Sequence, residues 1–266
     1  MATVQVSTLE EFVTAVAVAG DTVVCPEGAD WDANEIYPNG KNGDFVVAAN
    51  ITGNGTTFRN LRVTLGITNP NSSFITIENF NFVDVIGGRP TQFGAAGLFY
   101  GMIRLIGCKV SAVLNSNYNR IIQWTNSGTG YAADRCSFVI DASGNFQTLT
   151  YGEIRYSRLE LHLPNNSGNP FSSAGGKCYS SELAIYSPNA PYIYSHDFVG
   201  CIIHGEMPNA VEHSSGQWPG DMTLYSTDGL PNFSPANPDQ CVGVTDAQLR
   251  DPAYLRSIGF PIAIGG

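Results

Sequence analysis

Three of the four histidines fall in one window, as His196-Asp197, His204-Gly205-Glu206 and Glu212-His213. Imidazole beside carboxylate is the chemistry of a proton shuttle or a metal ligand set. Asp197, Glu206 and Glu212 are therefore the candidate acids of this window. A plainer reading competes. His196-Asp197 precedes Phe198-Val199 and His204 follows Ile202-Ile203, so both sit at strand ends, in turns where polar side chains meet solvent. The fourth histidine, His162, alternates with Leu161 and Leu163 and reads as an outward strand residue. Asp30-Trp31-Asp32 is the only Asp-x-Asp. It reads as a loop, with Trp31 packed under a terminal cap, and not as a metal site. No nucleophile elbow, phosphate loop or dinucleotide-type glycine pattern is present. Gly53-Asn54-Gly55 and Gly128-Thr129-Gly130 read as turns. The expectation is no catalytic set, no metal and no cofactor. The remaining candidates are aromatic. Tyr192 and Tyr194 share one strand face across Ile193, and Trp124 and Trp218 lie in turn-rich surroundings, where rings could stack on sugars.

Composition narrows the elements that must position these groups. The 266 residues carry 13 basic and 23 acidic side chains, a net charge of −10, and only 14% are charged. There are 29 glycines and 22 asparagines, but only three lysines, Lys41, Lys109 and Lys177. A helical bundle needs more Ala, Glu, Lys and Leu, and a disordered chain has fewer apolar residues than the 43% here. The acidic balance repels phosphate and argues against nucleic acid. No apolar run reaches the roughly 18 residues of a membrane span, and no signal peptide is visible at the start. The six cysteines form no Cys-x-x-Cys pair and no zinc spacing. They read as free buried thiols made in a reducing compartment.

Ser7-Thr8-Leu9-Glu10 reads as a capping box with Ser7 as N-cap. Leu9, Phe12, Val13 and Val16 then share one helix face, Gly20 ends the helix, and Asp21–Cys25 reads as a strand. From about residue 45 to 230 short apolar stretches alternate with Asn/Gly/Ser/Pro turns. Seven of them share a pattern: Asn60-Leu61-Arg62-Val63, Asn79-Phe80-Asn81-Phe82, Gly107-Cys108-Lys109-Val110, Arg135-Cys136-Ser137-Phe138, Tyr156-Ser157-Arg158-Leu159, Ser180-Ser181-Glu182-Leu183 and Gly200-Cys201-Ile202-Ile203. Steps of roughly 20 to 28 residues match one coil of a parallel β-helix, which buries its inner face only by stacking on its neighbours. The second and fourth positions should point inward. Thr245-Asp246-Ala247-Gln248 is a second capping box, and Asp251-Pro252 opens a further helix with Tyr254, Leu255 and Ile258 as its apolar face. The organisation expected is a cap helix and first strand over 1–28, β-helix coils over 29–204, loop-rich last coils over 205–243 and a C-terminal cap over 244–266.

Leu9-x-x-Phe12-x-x-Ala15-Val16 followed by Gly20-Asp21-Thr22-Val23-Val24, with the coil pattern behind it, resembles the right-handed parallel β-helix proteins of the pectate-lyase-like superfamily. The resemblance implies an all-β, single-stranded right-handed parallel β-helix with a short N-terminal capping helix and a short helical C-terminal cap. The neutral Asn/Gly-rich coils and compact terminal cap look most like the bacteriophage members: tailspikes, fibres and capsid ornaments. Lyases of this fold use a Lys or Arg base and often an aspartate cluster for calcium. Three lysines and no such cluster argue against that chemistry. The resemblance thus implies a virion structural protein, assembled in the host cytoplasm, that contacts other virion proteins and forms a trimer. A host-surface glycan is a possible ligand, with no nucleic acid or membrane as partner. The alternatives are a glycan-cleaving β-helix enzyme acting through Asp197, Glu206 and Glu212, and a bacterial surface adhesin.

Overall fold

A computed structural model describes residues 2–87, 96–115, 119–124, 130–149, 152–168, 170, 177–194, 198–213, 222–235 and 238–260. Each coil carries a short strand, a two-residue corner, a longer strand and a turn into a third side. Among the described residues these strands stack into a nine-stranded first side, a ten-stranded long side, a five-stranded third side and a separate two-stranded pair. All the strand pairs among the described residues are parallel (for example Lys109–Leu114 on Ser137–Ala142, and that strand on Arg158–His162). The chain is a parallel β-helix with short helices near its two ends.

The corner explains the sequence pattern. Its first residue adopts a left-handed φ, from 45° at Ser180 to 64° at Gly200, with Asn79, Gly107, Arg135 and Tyr156 between. Asn and Gly accept this region at little cost, while larger side chains are held there only by the stacked coils. The next residue turns inward, and Phe80, Cys108, Cys136, Ser157, Ser181 and Cys201 are all buried. Their polar atoms close the corner's backbone. Ser157 Oγ donates to Arg155 O at 2.7 Å and accepts from Cys136 N at 3.0 Å, and Ser181 Oγ repeats this with Tyr179 O and Ser157 N. All six cysteines are buried, and desolvation pushes the Cys25 and Cys201 thiols up to about 12.

The fourth position forms the apolar ladder. In register along the long side stand Trp31, Phe58, Phe82, Val110, Phe138, Leu159, Leu183, Ile203, Tyr225 and Gly243. Their spacing runs from 18 residues (Tyr225 to Gly243) to 28 (Phe82 to Val110). One member of the expected repeat is misplaced. Phe58, not Val63, pairs with Phe82. Val63 is buried too, but it bridges Lys41 beyond the end of that strand. Thr56, fully buried, therefore takes the second position that was expected at Leu61.

The N-terminal end is closed by helix α1 (Leu9–Val16), whose N-cap is Thr8 and not Ser7. Thr8 Oγ1 accepts from Glu11 N, and Glu11 Oε2 accepts from both Thr8 N and Ser7 N. The box is thus one residue later than expected. This turns Leu9, Phe12 and Val16 into the interior. Phe12 fills the open end, 5.1 Å from the Trp31 and Phe80 rings and 5.8 Å from Phe58. Phe12→Ala should cost about 3–5 kcal/mol, because it empties a fully buried aromatic site. Chemical denaturation should show it as a lower midpoint with an unchanged slope.

At the other end helices α2 (Asp246–Leu249) and α3 (Pro252–Ser257) carry the expected caps, Thr245 with Gln248 and Asp251 with Pro252. They cover the side of the last strands. Leu255 and Phe260 pack on Leu224 and Val244 in a cluster separate from the main core. The interior itself ends on Tyr225, Leu230 and Phe233, with Tyr225 Oη donating to Phe233 O at 3.4 Å. Between residues 205 and 243 the chain also supplies strands Val211–His213 and Thr223–Ser226 to the coils.

Candidate functional site

The inward ladder fixes an outward one. Three residues beyond each ladder residue, at the corner where the long side gives way to the next turn, a side chain points to solvent. In register these are Arg62, Ile86, Val113, Asp141, His162, Tyr186 and Glu206. In the first two coils the offset is four, because Asn60 and Asp84, with φ of 59° and 54°, each add a residue. Seven positions at the inter-strand spacing span about 29 Å along the axis. The row changes character along its length: a cation, two exposed aliphatics, then carboxylate, imidazole, phenol and carboxylate.

Two clefts follow this row and share Asn115. One, of about 360 Å3, is lined by Val113, Asp141, His162, Pro164, Tyr186 and Pro188 among others. The other, of about 410 Å3, lies over the earlier coils beside Lys41, Arg62 and Ile86. In the first cleft the His162 and Tyr186 rings stack with centroids 4.9 Å apart and planes 5° from parallel.

A charged network braces the row on the outer face of the long side. Arg158 lies between Glu160 and Glu182, 3.8 and 3.9 Å away. His162 Nε2 is 3.1 Å from Glu160 Oε1, and His204 Nε2 is 3.0 Å from Glu182 Oε1. The His204 hydrogen bond, followed by the Arg158 charge, holds the Glu182 carboxyl below the ordinary range against the opposing effect of burial. Glu182 is therefore a fixed anion and not a proton donor. A carboxylate lowered in the folded state stabilises fully above its unfolded value of about 4.3, and that contribution disappears as pH falls through the lower folded value. Glu182→Gln should thus lower the melting temperature by a few degrees at pH 6, on the scale of about 1 kcal/mol. The gap from the native protein should close toward pH 3 in paired thermal melts.

The residues singled out in the sequence fare differently. Asp197, His196 and Trp218 lie outside the described residues. Glu212 and His213 are on strand Val211–His213, but their side chains are outside the described set, as is that of Tyr194. Glu206 is exposed and closes the row beside Tyr186. His204 is not in a turn. It sits inside strand Ile202–Glu206, half-buried against Glu182. Tyr192 lies on the two-stranded pair, on a different side from the groove. Trp124 is not a ligand residue: its ring is buried, its Nε1 donates to Ile103 O at 2.8 Å, and Phe74 packs edge-on 4.8 Å away. Asp30 pairs with Arg59 at 2.9 Å. Asp32 accepts from Asn34 N and Asn60 Nδ2, and the Asn34 amide chiefly lowers its carboxyl. Both aspartates lie on strand Asp30–Asp32 and not in the expected loop, with Trp31 buried between them. His162 faces outward, as expected. Among the described residues no group of three or more His, Cys, Asp and Glu is placed to hold a metal ion, and no helix is long and apolar enough to cross a membrane.

No family model, curated protein or solved structure matches this chain. The groove's own geometry therefore carries the functional argument.

Proposed function

We propose that this protein is a bacteriophage virion component, a capsid- or tail-attached β-helix that holds a linear host-surface glycan along its corner groove. The observation that carries the glycan is the row itself. Apolar surface from Val113, Pro164, Pro188 and the Tyr186 ring is interleaved with the carboxylate of Asp141, the imidazole of His162 and the amide of Asn115. A sugar ring offers matching chemistry, with C–H patches for the apolar groups and hydroxyls for the polar ones. Concave, mostly apolar sites with a few placed polar groups are the usual form of small-ligand recognition. The straight axial row suits a polymer rather than a single compact ligand.

The virion assignment rests on the resemblance of the cap and coil pattern. It is supported by the buried cysteines, Cys25, Cys108, Cys136 and Cys201 among them, which suit assembly in a reducing cytoplasm. Its partners in this reading are other virion proteins and further copies of itself, as a trimer. Within the row itself, spacing favours binding without cleavage. Asp141 and Glu206 are three strand intervals apart, about 14 Å, beyond the 5–10 Å of a hydrolytic carboxylate pair.

Sedimentation of intact particles tests the location, with this chain expected in the particle fraction at fixed copy number. Its presence on bacterial surfaces without particles would support an adhesin instead. A glycan array tests the ligand. Release of oligosaccharides from a polysaccharide, abolished by Glu206→Gln, would replace binding with cleavage.

A further inference from the structure

The N-terminal cleft of the groove is chemically opposite to the chain as a whole. The protein has 23 acidic and 13 basic residues. Yet this cleft is walled by Lys41 and Arg62 with Asn39, Asn42, Thr64 and Asn115, and among the described residues no carboxylate lines it. Other arginines nearby or on the same side are neutralised: Arg59 by Asp30, and Arg158 by Glu160 and Glu182. Among the described residues Lys41 and Arg62 make no ion pair.

The backbone that carries the two bases is held in place. Lys41 N donates to Arg62 O at 2.7 Å, and Thr64 N to Lys41 O at 3.2 Å, so adjacent coils fix their spacing. The Lys41 ammonium lies 5.3 Å over the Tyr37 ring, which limits its wandering. Gly40 leaves Arg62 its room, since a Cβ there would stand 3.1 Å from Arg62 Cβ. A planar guanidinium offers a paired N–H fork to an oxyanion, an ammonium adds a point charge, and the asparagine amides supply neutral donors.

The geometry points to an anion subsite at Lys41 and Arg62, which takes a carboxylate, sulfate or phosphate substituent of the polymer lying in the groove. This inference rests on the glycan reading of the row. It adds that the ligand is acidic and sets its direction, with a charged substituent over the early coils and an uncharged stretch over Val113 and the His162–Tyr186 stack.

An array that prints each glycan backbone in neutral and acid-substituted form tests this with the full chain. Four proteins are compared: native, Lys41→Gln, Arg62→Gln and Tyr186→Ala. Acidic members should be retained more strongly by the native protein. Each cation variant should lose about tenfold on those members, as expected for one charge-assisted contact. The ratio of acidic to neutral retention should fall in each cation variant, and Tyr186→Ala should weaken both kinds. Equal retention of neutral and acidic members, or a preference unmoved by both cation variants, overturns the anion subsite while leaving the groove. If the native protein retains no glycan, the groove reading fails. Titration with sodium sulfate against sodium chloride at equal ionic strength then decides the subsite alone. Saturable NMR shifts at Arg62 and Lys41 with sulfate only would assign a free oxyanion site. Matching shifts with both salts would remove it.

Discussion

Gly205→Ala should disorder the last coils and take the end of the groove with them. Gly205 lies inside strand Ile202–Glu206 at a φ of 121°, a region that L side chains rarely adopt. A Cβ there would overlap the backbone of Ile185 on the neighbouring coil. The obstacle is backbone, so no side-chain rotation relieves it. The expected cost is about 4 kcal/mol or more, at the far end of single-substitution effects. That corresponds to a melting temperature roughly 10 °C lower in a chain of this size. A solenoid's coils depend on their nearest neighbours. Hydrogen exchange should therefore show protection lost first over 198–213 and 222–235, with the Phe12 end still protected. A variant that melts like the native protein would mean that the coils around Gly205 are stacked differently.

Tyr186→Ala should reduce glycan affinity by about thirtyfold with little change in stability. The side chain is exposed on the outer face, where truncation leaves no core cavity. It supplies an aromatic face to the C-terminal cleft and holds the His162 ring by stacking. Loss of one central aromatic from a binding surface is worth about 2 kcal/mol, which sets the thirtyfold figure. Tyr186→Phe keeps the ring and should retain most of the affinity. The comparison of the two variants by calorimetry separates stacking from the hydroxyl. Undiminished binding by Tyr186→Ala would move the ligand off the row.

The inner ladder was legible because it repeats chemically. A small or apolar residue, a spacer and an apolar residue recur from Phe80-x-Phe82 to Cys201-x-Ile203, and the structure buries every one. The first repeat was misread since two frames fit one stretch. Leu61 and Val63 are as apolar as Phe58 and also buried, and the extra left-handed residue at Asn60 disguises which is the strand. At the N-terminal cap, Ser7 and Thr8 are both good N-caps with a glutamate three residues on. Helix phase decided, because Thr8 as cap places Leu9, Phe12 and Val16 inward.

The outer row was not seen, although its signal existed. Reading three residues on from Val110, Phe138, Leu159, Leu183 and Ile203 gives Val113, Asp141, His162, Tyr186 and Glu206. Coils of unequal length separate these residues in the chain, so they never form a local motif. The 196–213 window hides the pairing of His204 across coils with Glu182, 22 residues earlier. Trp124 shows the reverse error. Polar, turn-rich neighbours suggested exposure, but the ring turns under Phe74 to reach the Ile103 carbonyl.

The central claim is that one extended polymer occupies the row from Arg62 to Glu206. Affinity measured against oligosaccharide length, for the glycan that the array retains, tests it most directly. Affinity should climb with length until the oligomer covers about 29 Å, level off beyond that, and climb far less in Tyr186→Ala. A disaccharide that binds as tightly as the longest oligomer would contradict the account.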